Sequence, residues 1–319
     1  MPVIEVGGIK ANPGEKAFGF LDVGTTSVNT YRIPVAVLNG AKEGKTLGLL
    51  GGTHGTEFAS IEAVIRTVQD LDPKKMSGAV LAVTVLNGPH FEHRSAFLSP
   101  FDQLNQNRVF PGNATGTLSH RTAHVVFKEV VSRCNALADC HGGDINEDIE
   151  NMVIAGKGDD EKVNGMALDM ARCFPTRHVS QMPARESGLT MSAQKLYRIP
   201  CITSEAGTPY PVRERHIRFH YDGIQNVLRY FGIVRGKPAL SEVVVNPKTY
   251  RFTADQGGIW HSKVEVGQAV DKDQELGNMT DLFGNVLRVY KAPERSVVSM
   301  MRVFYSVNCG EALVSVAVI

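Results

Sequence analysis

No stretch of this sequence approaches the ~18 consecutive apolar residues of a membrane span. Its opening, MPVIEVGGIKANPGEK, also lacks a basic segment followed by a long apolar one. Neither a membrane association nor a secretory signal is therefore expected. Cysteines are few and scattered: Cys134, Cys140, Cys173, Cys201 and Cys309, odd in number and never spaced CxxC. A disulfide framework or cysteine metal cluster is not expected, and a cytoplasmic, reducing location is. Charge of neither sign is in excess; the formal net charge is +1. No global field draws nucleic acid or an anionic lipid surface. Internal repeats and low-complexity tracts are absent as well. What remains, 43% hydrophobic and 21% charged residues, is the balance of a soluble globular protein. A chain of 319 residues suffices for a large domain and a small second one.

Apolar patterning divides the chain. Residues 27–38 alternate like a strand, and 46–50 (TLGLL) form a short apolar run entering Gly51-Gly52. Phe58, Ile61, Val64, Ile65 and Val68 fall at helical spacing. Residues 79–86 (AVLAVTVL) predict a strand covered on both faces. A long Asn- and Pro-rich loop spans 87–117, followed by a helix over about 119–133 and a strand over 135–140. Further strands are predicted near 151–155 and 199–205, with helices near 160–173, 190–197 and 211–231. The alternation predicts an α/β fold, a mixed, mostly parallel sheet covered by helices. Beyond about 235 the chain turns Val- and Gly-rich, with turn signals such as Gly257-Gly258 and Phe283-Gly284-Asn285. That predicts two domains, 1–235 catalytic and 236–319 a small all-β unit.

Three motifs end predicted strands, where open α/β sheets place their sites. GGTHGTE carries His54 and Glu57, DCHGG carries His141, and TSEAG carries Glu205. Two imidazoles and a carboxylate form a ligand set for catalytic zinc, with a fourth position open. Asp139, two residues before His141, points to the same side of a strand and can orient the ring. Each motif alone is weak, since HxxE usually carries no metal and a buried His is usually just hydrogen-bonded. Their combination at matching sheet positions carries the weight. Two other pairs, His120/His124 and His216/His220, share helix faces but lack an intervening carboxylate; solvated or satisfied helix faces explain them.

These motifs, with NQNRVFPG at 105–112 and IPCITSEAG at 199–207, resemble those of the succinylglutamate desuccinylase/aspartoacylase family, relatives of the zinc carboxypeptidases, in the same order. The resemblance implies that His54, Glu57 and His141 bind one Zn2+ per chain. It implies that Glu205 is the general base and acid, that Asn107 and Arg108 hold a substrate carboxylate, and that Arg94 polarises the scissile carbonyl. The loop between Arg94 and Asp102 is longer than the family pattern, and Cys140 and Gln106 stand where that pattern has Leu. Segment 257–286 resembles a biotinyl/lipoyl hairpin, but its turn at Asp281–Asn285 lacks an acceptor lysine, so a packing role is expected.

The function expected is zinc-dependent hydrolysis of a small N-acyl amino acid or similar carboxylate-bearing amide. Alternatives are a metallo-carboxypeptidase acting on short peptides and a non-catalytic zinc-binding protein. The acidic run of Asp144, Glu147, Asp148 and Glu150 is either a solvated loop or, at a pocket mouth, a preference for an amine or guanidinium. The acyl group is left open, as is the oligomeric state, a homo-oligomer included.

Overall fold

The computed structural model describes residues 2–319. A small ribbon of β1 (Ile4–Val6) and β2 (Ile9–Ala11) precedes β3 (Glu15–Thr25), β4 (Thr30–Asn39) and β5 (Lys42–Gly51). Then come α1 (Phe58–Asp70), β6 (Ser77–Val83), the short α2 (Gly88–His93) and α3 (Leu118–Glu129). The chain continues through β7 (Ala136–His141), β8 (Glu147–Lys157), α4 (Glu161–Arg172), β9 (His178–Pro183), α5 (Leu189–Tyr197), β10 (Cys201–Gly207) and α6 (Glu214–Tyr230). The last part is all β: β11 (Val244–Val245), β12 (Thr249–Thr253), β13 (Gly258–Ser262), β14 (Ala269–Val270) and β15 (Glu275–Thr280). It closes with β16 (Val286–Lys291), β17 (Ser296–Arg302), β18 (Ser306–Val307) and β19 (Ala312–Val318).

The main sheet has 13 strands, ordered β12-β19-β17-β8-β10-β7-β5-β6-β4-β3 along its path, with β9 beside β8. Its centre, β10-β7-β5-β6, is parallel, and antiparallel strands extend it on both sides. The continuous apolar runs follow from this, since a central strand needs apolar side chains on both faces. Leu49, Val80 and Ala82 point into one core with Val64 and Val68 of α1, Met170 of α4 and Phe219 of α6. Leu50, Leu81 and Val83 point into the other with Ala123, Val126 and Phe127 of α3 and Leu189 and Ala193 of α5. Helices thus cover both faces, as the alternating pattern predicted.

Among the described residues no helix is long and apolar enough to cross a membrane. Residues 254–316 contribute a separate apolar core around Trp260, Tyr290, Val298 and Leu313. Residues 249–318 form a four-stranded sheet, β16-β15-β13-β18, and also lend β12, β19, β14 and β17 to the main sheet. The β15–β16 turn presents Leu282 and Phe283 to solvent and holds no lysine.

In the α/β part, the short β1 and β2 and the longer β3 and β9 escaped the sequence pattern. β3 is an edge strand whose exposed Phe18 and Phe20 blur its alternation. β9 is only partly covered and ends in exposed residues. The helix expected from 211 starts at Glu214, because Arg213 is still extended (φ −110°).

Candidate metal and catalytic centre

Parallel neighbours bring their carboxyl ends to one edge of a sheet. Here β5, β7 and β10 are such neighbours, and register sets Gly51 beside Cys140 and Glu205 beside His141. His141 ends β7, Glu205 lies near the end of β10, and the chain leaving β5 carries His54 to Glu57, the N-cap of α1. That exit requires Gly52, whose φ of 68° disfavours any residue with a Cβ.

Ligand atoms of His54, Glu57 and His141 all lie within 4.8 Å of one another, and the three side chains are buried. Glu57 Oε1 is 2.8 Å from His54 Nδ1, and Oε2 is 2.9 Å from His141 Nδ1. The far nitrogen of each ring is held separately. His141 Nε2 lies 2.8 Å from Asp139 Oδ2, while Asp139 Oδ1 accepts from Thr53 Oγ1 at 3.0 Å. His54 Nε2 lies 3.0 Å from Asn105 Oδ1. The same atom accepts the Asn107 backbone N–H at 2.8 Å, which identifies it as the oxygen.

Both Nε2 atoms therefore face acceptors and carry hydrogen, and both Nδ1 atoms turn toward Glu57. Two ring lone pairs and a carboxylate this close repel unless protons or a metal cation lie between them. In the chain alone, the charged form of His141 is favoured. Burial would lower His141, but Asp139 and Glu57 outweigh it and hold the ring well above the usual imidazole range. Burial would raise Glu57, but His141 and His54 bring it down to about 2. A metal ion displaces such protons on binding. Two imidazoles, each oriented by an outside acceptor, plus one carboxylate are a donor set suited to zinc with a position left over. The residues present fit the metal that the sequence implied.

Beside this cluster is a cavity of about 300 Å³, lined by His54, Glu57, His141 and Glu205 and, farther out, by Asn107, Arg108, Glu147, Arg185 and Met191. Burial pushes the Glu205 carboxyl well above the usual range; Glu57, Glu147 and Asp139 push the same way, and His141 opposes them. Arg108 is exposed, its Nη1 donating to Asn107 O at 2.9 Å, and it forms no ion pair among the described residues. Asn107 is also an anchor: its Oδ1 accepts the Leu189 N–H at 2.8 Å and ties the loop to the start of α5.

Arg94 is not brought to the cavity. It caps the C-terminal end of α2 in a left-handed conformation (φ 52°), exposed, and Phe97 instead packs against His54 with ring centroids 5.5 Å apart. The short helix turns the chain outward there, which the sequence did not signal. The other histidine pairs lie outside the cluster. His220 Nδ1 bonds Ser204 Oγ at 2.9 Å, and His120 Nδ1 bonds Thr117 Oγ1 at 3.0 Å. Burial and the neighbouring Arg215 and Arg213 push His216 down to about 4.

Sequence reasoning missed Asn105 and Arg185. Asn105 stands in the quoted NQNR motif and was within reach of it; Arg185 lies in MPARESG, which carries no motif. The acidic run divides. Asp144 is fully buried and accepts Thr56 Oγ1 at 2.6 Å and the Phe97 N–H at 2.8 Å. Glu147 lines the cavity, whereas Asp148 and Glu150 do not.

The model of the succinylglutamate desuccinylase/aspartoacylase catalytic domain matches residues 43–231. N-alpha-acetyl-L-2,4-diaminobutyric acid deacetylase of Halomonas elongata is 26% identical over 296 residues, 89% of this chain and 85% of that protein. The product-bound ectoine utilization protein EutE (DoeB) from Ruegeria pomeroyi superposes with a TM-score of 0.85 at 21% identity, covering 96% of this chain and 95% of that one. A succinylglutamate desuccinylase/aspartoacylase from Rhodobacter sphaeroides gives 0.85 at 23% identity over 95% of each chain. At these identities the two structures speak for the fold.

Proposed function

We propose, from the premise that this chain belongs to the succinylglutamate desuccinylase/aspartoacylase family, that it is a zinc-dependent deacylase hydrolysing the amide bond of a small N-acyl amino acid. The observation that carries this reading is the buried His54–Glu57–His141 cluster with Glu205 beside it in register. A purely structural zinc site needs neither a neighbouring carboxylate base nor an adjoining cavity.

When bound, zinc supplies a Lewis acid that polarises a carbonyl and acidifies water. Glu205 takes the proton of the attacking water and returns it to the leaving amine. Arg108 and Arg185, the two guanidinium groups at the cavity, hold the substrate carboxylate through paired hydrogen bonds. Asn105 and Asp139 keep the two rings turned so that both Nδ1 atoms face Glu57. The carbonyl-polarising role that resemblance assigned to Arg94 is not carried forward, since that side chain starts from the outer surface. A cavity of about 300 Å³ suits a small substrate, and the Halomonas relative's name supports an acetyl group. The cysteine usage continues to support a cytoplasmic location, and 1–235 and 236–319 remain our proposed division.

The zinc-loaded protein should release amine from N-acetyl or N-succinyl amino acids and leave dipeptides intact. A preference for dipeptides in a ninhydrin-type amine assay would instead make it a carboxypeptidase, and no turnover of either class would make it a binder. Arg108→Ala should raise KM for carboxylate substrates roughly 10–100-fold with bound zinc unchanged, because two charge-assisted hydrogen bonds are lost. An unchanged KM would make Arg108 a solvated loop residue.

A further inference from the structure

The charged groups around the cavity all have a place in the proposed reaction, with one exception. Glu57 faces the two histidines, Glu205 lies beside His141, and Arg108 and Arg185 await an anion. Glu147 remains. It is half-buried at the start of β8, and no side chain among the described residues bonds to its carboxylate. The arginine opposite it across the β8–β17 pairing, Arg302, turns away and donates to Glu311 Oε2 at 2.9 Å. The neighbouring acids are placed differently. Asp144 is used up by Thr56, Phe97 and Ile145, and Asp148 and Glu150 lie toward Arg213, Arg215 and Arg177, outside the cavity.

The backbone that presents Glu147 is closely packed. Its N–H donates to Asp144 O at 2.9 Å, and a Cβ on Gly143 would stand 2.3 Å from its carbonyl oxygen. Burial, with Glu57 and Asp144 nearby and only the exposed Arg251 and His54 in opposition, pushes the carboxyl up to about 7. A partly desolvated carboxylate without a partner is unfavourable until a cation meets it.

We infer that Glu147 is a specificity-determining residue that receives an ammonium group of the substrate, so that the preferred substrate is an N-acyl diamino acid with its second amine free. This rests on the deacylase reading above. The carboxylate of such a substrate meets Arg108 and Arg185, its amide lies at the His54–Glu57–His141 cluster, and its ammonium faces Glu147. The three charged or reacting ends then match three differently charged parts of one cavity.

The test compares kcat/KM for Nα-acetyl-2,4-diaminobutyrate, its uncharged counterpart N-acetyl-2-aminobutyrate, and N-acetyl-aspartate. The wild-type protein should prefer the first by roughly tenfold or more over the second, the effect of a charge-assisted hydrogen bond. Glu147→Gln should lower that preference ratio by a similar factor. A ratio that stays put, or a wild-type protein without preference, overturns the assignment. Equal loss on all three substrates overturns it too, by making Glu147 part of the reacting machinery. Calorimetric binding of the free amino acids to zinc-loaded protein keeps the two readings apart. Tighter binding of 2,4-diaminobutyrate than of 2-aminobutyrate supports the ammonium site even if no acyl derivative is hydrolysed, a result that would sink the deacylase reading alone.

Discussion

Glu205→Gln should lower kcat by roughly 10²–10⁴-fold while bound zinc and fold stay as they are. The substitution preserves size and shape and removes only the ability to take up a proton. Three features single out this carboxylate. It lies in register beside His141 on the adjacent parallel strand. It lines the cavity with the three cluster residues. It also has small residues, Ala206 and Gly207, immediately after it, leaving room beside the site. In the chain alone, burial and the carboxylates Glu57, Glu147 and Asp139 keep Glu205 well above its usual range. A cation held at the cluster has the opposite sign and favours the ionised form that a base needs. The measurement is kcat with zinc content by elemental analysis. Activity within a few-fold of wild type would remove Glu205 from the base role. Loss of zinc would make it a ligand and return Glu57 to question.

His54→Ala and His141→Ala should each reduce zinc from about one per chain to near none and abolish turnover, since a three-residue site cannot spare a ligand. The two variants should differ in metal-free stability. His141 stands between Asp139 and Glu57, 2.8 and 2.9 Å from their oxygens, in a fully buried strand. Its removal leaves buried Asp139 with only the Thr53 hydroxyl and Glu57 with only His54, a defect of the kind that costs about 3–5 kcal/mol where a buried pair is broken. His54 sits in the loop after β5 and leaves Glu57 still paired with His141, so its loss should disturb the metal-free fold less. Denaturant unfolding of both zinc-stripped variants gives the comparison. Full zinc retention in both would mean that the metal lies elsewhere.

Much of this site was legible because its parts sit where local pattern is strongest. LGLLGGTHGTE and ALADCHGG each join an apolar run to glycines, and a strand buried on both faces announces its own end. The order of those ends along one sheet edge follows from parallel pairing. Arg94 shows the limit of carrying a role over by position. The segment after α2 is held by Asp144, through the Phe97 N–H, and that contact spans 47 residues. Nothing within the loop states it. Arg185 reaches the cavity for a similar reason, since Ser187 O accepts the Phe110 N–H at 3.2 Å and draws two distant loops together.

By itself the sequence determined the α/β alternation, the strand ends that carry His54, Glu57, His141 and Glu205, and the family resemblance. These rest on spacing within a few residues, where backbone geometry alone dictates which side chains share a face. Only the tertiary structure decided that Asn105 holds the His54 ring, that Arg94 stays outside, and that Glu147 alone of its acidic run enters the cavity unpaired. Those outcomes depend on which distant segment supplies or withholds a partner, as Arg302 does in turning from Glu147 to Glu311. A hydrogen bond acts over about 3 Å, so its partner is known only once the chain has folded back on itself.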